Sequence, residues 1–274
     1  VLGALSLLLK IGLHAGLLAA IGFAFQRVAL GAEFRRLIIA GALLLAVCVA
    51  ARLFLLNAEL AGGLEHAFDF SMFGWVWSPN KAQTLGYLSG AGVILFGVLA
   101  RLRVLVILGA FALLVGVALG GHTRGLETPG LNPWIASFHV GLAAFWVSAP
   151  AALWPSQDVD DDEILRRMER FSAIAVWSVP LIFAGGVWLG IQLTGSFSAF
   201  VTTGYGRLLV LKLVFACGAL AIGGANKLWV TGKLRDNPAI GRKLLRRTLM
   251  VDSLLFAGIV IAIASATSLT GPGA

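Results

Sequence analysis

Hydrophobicity along this chain comes in long uninterrupted blocks, separated by short polar connections. Stretches such as "AGALLLAVCVA" (40–50) and "VLVILGAFALLVGVALGG" (104–121) contain no alternation of apolar and polar positions. A membrane-spanning β-barrel needs that alternation in segments of about ten residues, so the blocks predict helices. A bilayer core about 30 Å thick takes about 20 apolar residues per helical span. Eight blocks reach that scale, near 1–25, 37–56, 82–100, 104–121, 133–154, 171–194, 207–230 and 248–270. The expected fold is all-α: a polytopic transmembrane bundle of eight helices, forming one integral membrane domain over residues 1–274. Lipid offers no solvent for a bare backbone, which leaves helices as the way to satisfy such segments.

Composition agrees with that picture. Of the 274 residues, 59% are hydrophobic and 12% charged, about half the charged fraction of an ordinary soluble domain. The mean hydropathy is +0.92. The chain opens at Val1 inside an apolar run, which leaves room for residues ahead of it. Arg27, Arg35 and Arg36 follow that run and mark its end as a stop, not as a signal-peptide cleavage site.

The formal charge of +8 reads as orientation. Fifteen of the 21 Lys and Arg fall in the connections after spans one, three, five and seven, among them Arg27, Arg101, Arg166 and Arg242. The opposite connections hold Lys81, Arg124 and Arg207. Cytoplasmic loops collect Lys and Arg, so the odd connections are expected in the cytoplasm and both termini in the periplasm. Binding to nucleic acid is not needed to explain the charge. "QDVDDDEILRRMER" reads as a helix start, with aspartates at the positive dipole end. Glycine pairs at 12/16, 86/90, 116/120 and 186/190 have the spacing that lets helices approach closely.

Ionisable groups inside spans are costly and mark cavities or partners. His122 ends the fourth block and His139 lies six residues past Pro133, about 9 Å inward along a helix. The connection between them folds the chain back, which puts both imidazoles at the outer side of adjacent helices, where they could share one ion. His14 lies one turn below Lys10. His66 falls in the second outer connection with Glu59, Glu65, Asp69 and Met72. Imidazole suits copper, zinc, iron or nickel, and His14, His122 and His139 are the metal-ligand candidates. Cys48 and Cys217 read as apolar packers. Arg52 is expected to reach outward toward Glu59 or lipid headgroups, Lys212 to anchor a helix or pair with a carboxylate, and Asn226 and Asp252 to hydrogen-bond to each other. No GxxxxGK[ST], HExxH or GxSxG motif is present, and no enzymatic activity is expected.

The second half resembles the copper resistance protein D family. The resemblance rests on "RFSAIAVWSVPLIFAGGVWLGIQL", "FVTTGYGRLLVLKLVFACGALAIGGANK" and "LLRRTLMVDSLLFAGIVIAIAS", with Thr203, Tyr205, Gly206, Arg207, Lys212, Asn226 and Asp252 as its specific residues, over about 170–273. Shorter likenesses lie upstream, in "LKIGLHAGLLAA", the "GH" at 121–122 and "FHVGLAAFW". The resemblance implies eight helices in a bacterial inner membrane and copper as the ion handled. It also implies a small periplasmic copper-binding protein of the CopC type as partner, and it supports His14, His122 and His139. With only three methionines, the chain has no Met-lined path for Cu(I). Two other readings remain open: a b-type haem held by two histidines, and a docking partner for a periplasmic copper chaperone that moves no copper itself.

Overall fold

A computed structural model describes residues 1–269, apart from the side chain of Leu269, and every regular element described in it is helical. The long elements are α1 (Leu2–Leu30), α2 (Arg35–Ala61), α3 (Phe73–Leu99), α4 (Arg103–Ala118), α5 (Asn132–Val147), α7 (Asp161–Thr194), α9 (Gly204–Ala225) and α11 (Pro238–Leu269). Short helices α6 (Ala149–Ala152), α8 (Phe197–Thr202) and α10 (Thr231–Asp236) extend or link them. All eight predicted blocks are helical. Seven helical segments are long and apolar enough to cross a membrane, and α4, at 16 residues, is the shorter eighth. The multi-pass membrane architecture follows from their length and composition.

Boundaries differ most on either side of the second outer connection. The sequence left 57–81 outside the apolar blocks, whereas α2 runs to Ala61 and α3 begins at Phe73. Polar side chains such as Asn57 and Asn80 interrupt the apolar pattern without interrupting the helices. The fully buried Asn57 donates through Nδ2 to the carbonyls of His66, Ala67 and Asp69, at 3.2, 3.1 and 2.7 Å, and pins the connection over the end of α2.

The central helix is α1, which packs against α2, α4, α5, α6, α7 and α11. The close approach of α1 and α2 depends on missing side chains: a Cβ on Gly16 would lie 2.6 Å from the Leu45 nitrogen, and one on Gly41 2.7 Å from that of Ala20. Polar bonds join other pairs. Gln26 donates to the Phe145 carbonyl at 2.8 Å, Ser137 to that of Leu114 at 2.6 Å, and Trp146 to Ser178 at 2.9 Å. The least buried span is the continuous run Gly204–Asp236, whose main long neighbour is α11.

One end of the bundle is an arginine-rich belt. Glu33, between α1 and α2, takes Arg27 at 2.8 Å and Arg103 at 3.0 Å. Arg170 donates to the Leu30 carbonyl at 3.0 Å, and Arg242 binds Asp161 at 2.5 Å and the Val159 carbonyl at 2.6 Å. Arg235 pairs with Glu169. These contacts tie the four basic connections together at one end, as the charge pattern implied. The acidic stretch before α7 is a helix start: the Asp160 side chain accepts from the Glu163 backbone N–H at 2.6 Å. At the other end, Lys10 donates to the Thr267 carbonyl, so α1 and α11 lie side by side there.

Candidate functional site

The candidate site is a cavity of about 350 Å³ between α1, α5, α7, α9 and α11, on the side away from the arginine belt. His14, His122 and His139 all line it, as do Lys212, Tyr87 and Tyr205. His14, His139 and Lys212 are half-buried because they face this internal space. His139 sits about 10 Å into α5 and Lys212 about 12 Å into α9, at 1.5 Å per residue, so the two helices deliver them to one level.

Each histidine is held differently. A carbonyl only accepts, so the 2.7 Å contact of His14 Nδ1 with the Lys10 carbonyl puts the proton on Nδ1 and leaves the Nε2 lone pair of the neutral ring bare. Metal-bound imidazoles are commonly oriented by such a bond from the other nitrogen. His139 also carries its proton on Nδ1, but its Nε2 is occupied: Lys212 Nζ lies 3.4 Å from it, while the buried Nδ1 has no hydrogen bond of ordinary geometry. The lone pair that would bind a metal is engaged by an ammonium. His122, in the connection after α4, is exposed and stands edge-on to Tyr205 with ring centroids 6.5 Å apart. Ring desolvation, then the charges of Lys10 and Arg52, hold it below the ordinary histidine pKa.

Several expectations need correction. Lys212 pairs with an imidazole and not with a carboxylate; among the described residues no Asp or Glu lines the cavity. Arg52 forms no ion pair with Glu59 and borders a small recess with Asn80, Gln83 and Tyr87. The mutual hydrogen bond expected of Asn226 and Asp252 is not formed: Oδ1 of each is buried without a partner. There the chain winds as a π-helical turn, Asn226–Val230, which changes the side-chain register from the α-helical one assumed. Cys48 is buried as expected, but Cys217 faces outward from the peripheral α9. His66 stays outside the cavity, exposed on its 3₁₀ turn with Glu65 Oε1 at 4.0 Å.

The three cavity histidines therefore share one space. Among the described residues, however, no group of three or more His, Cys, Asp or Glu is close enough to hold a metal ion. The sequence reading did not single out Gln83 or Tyr87, which also line the cavity and are joined by a 3.2 Å hydrogen bond. Their signal was an interruption of the α3 apolar block at positions four apart, one helical turn.

No curated protein and no solved structure matches the chain. The model of one family, copper resistance protein D, matches residues 165–266, from the first turns of α7 to near the end of α11. That segment contributes Lys212 and Tyr205 to the cavity but no histidine; His14, His122 and His139 all lie upstream of it. The likeness to the copper resistance protein D family thus covers residues 165–266, a little over a third of the chain.

Proposed function

We propose that the protein moves copper across a bacterial inner membrane and that copper is taken up at the cavity end opposite the arginine belt. The observation that carries this reading is the opening of His14, His122 and His139 onto one space beside the family-matched segment. Imidazole is a good donor to copper, and copper here is cargo. His122, at the exposed mouth, receives the ion from a periplasmic copper-binding protein of the CopC type. His14, with its bare Nε2, is the next donor inward. His139 joins when the flexible Lys212 side chain releases its Nε2. The positive-inside pattern supports a cytoplasmic arginine belt.

Proteoliposomes test the transport reading. With copper supplied on the side of His122, wild type is expected to accumulate copper at a rate that falls at least tenfold in the His14→Ala, His122→Ala double variant. Equal rates in the variant, or no flux above that of empty vesicles, would contradict it.

A further inference from the structure

The cavity is far larger than an ion requires, since a water molecule takes about 30 Å³ of liquid volume and this space measures about 350 Å³. It is also long. Its lining on α9 extends from Tyr205 to Leu220, about 22 Å at 1.5 Å per residue. Small residues make the room: Gly186 and Gly190 on α7, Ala136 and Ala143 on α5, Ala216 and Ala219 on α9. The remaining walls are chiefly aliphatic and aromatic, with polar groups gathered toward the end near His122.

Charge in the cavity is one-sided. Lys212 has three N–H donors, and its hydrogen-bond contact is His139 Nε2. Among the described residues no carboxylate lines the cavity. Unmet Lys212 donors midway along the chamber, with apolar lining that continues about 12 Å along α9 to Leu220, fit a ligand with an apolar tail and oxygen acceptors at one end. Small-molecule sites have this form: apolar walls and a few convergent polar groups.

We propose that the cavity binds a chain-bearing amphiphile from the bilayer, its oxygen-acceptor head on Lys212 and its tail along α7 and α9. A carbonyl head, as in an isoprenoid quinone, and a carboxylate head, as in a fatty acid, present the same acceptor chemistry. The ammonium that attracts this head repels a bare cation, so the inference stands apart from the copper reading.

Copper-free protein in phospholipid nanodiscs, titrated calorimetrically with a benzoquinone bearing a ten-carbon tail and separately with oleate, tests it against empty nanodiscs. At least one probe is expected to bind saturably; which one binds identifies the head. Lys212→Met should weaken that binding at least tenfold and Lys212→Arg should retain it. Ala143→Trp, which fills the apolar chamber and leaves the Lys212 ammonium in place, should abolish it. Failure of both probes to saturate, or wild-type affinity in Lys212→Met, overturns the proposal. A porphyrin absorbance band in protein that binds neither probe also overturns it, in favour of a metalloporphyrin. Because copper is absent throughout, loss of copper flux in the histidine variants leaves this result untouched.

Discussion

Lys212 and His139 face each other at 3.4 Å, and that contact decides which imidazoles are ready to ligate. His14 has its spare proton tied to the Lys10 carbonyl and presents a bare nitrogen; His139 does not. Replacing Lys212 by Met removes both the competing donor and a like charge, so copper affinity, measured by competition with a chelator, is expected to rise about tenfold, or ~1.4 kcal/mol. Acidity acts through His122. Its pKa lies below the ordinary value because of desolvation and then the Lys10 and Arg52 charges, so the ring keeps its neutral, ligating form to lower pH than a free imidazole does. Copper retention, followed by equilibrium dialysis, should decline only as the pH falls through the lowered value, since a protonated imidazole cannot bind metal. Sequence alone placed His122 and His139 near one end of the bundle because loop spacing and helical rise fix depth, whereas His14 was located only relative to Lys10. The sequence could not show that Lys212 turns toward an imidazole, since rotation about neighbouring helix axes is set by tertiary packing.

Element boundaries show the same division. The hydrophobic blocks located eight helices, because apolar length is what a bilayer selects, but they truncated α3 where Asn80 and Lys81 interrupt the run. A local change in winding, the π-turn at Asn226–Val230, leaves no trace in hydropathy. Glycine spacing was legible in part: Gly16 sits where α1 and α2 backbones nearly touch, while Gly41 across from it belongs to none of the spaced pairs. Gly16→Val should therefore force those helices apart and destabilise the protein by about 1–3 kcal/mol, the usual cost of overpacking, seen as a lower Tm in detergent. At the arginine belt, Glu33 joins the first and third connections. Hydrogen bonding to Arg27, then to Arg103, holds its carboxyl below the usual range. A depressed carboxylate pKa adds stability that is present above the unfolded-state value and fades as pH falls through the folded one. The group is half exposed, so Glu33→Gln should cost less than about 1 kcal/mol at neutral pH.

At the scale of the whole molecule, the family-matched segment supplies α7 to α11, while the histidines come from α1, α5 and the connection after α4. The cavity is the seam between these two parts, so neither builds the site alone. Topology can be read independently: with Cys48 and Cys217 replaced, a cysteine at Glu127 should react with an impermeant maleimide in spheroplasts and one at Lys233 should not. The most direct test of the account is copper bound per purified protein after dialysis, by metal analysis, for wild type and for His14, His122 and His139 replaced together by Ala. Wild type is expected to retain about one copper per chain and the triple variant essentially none. Equal copper in the two proteins would contradict the account.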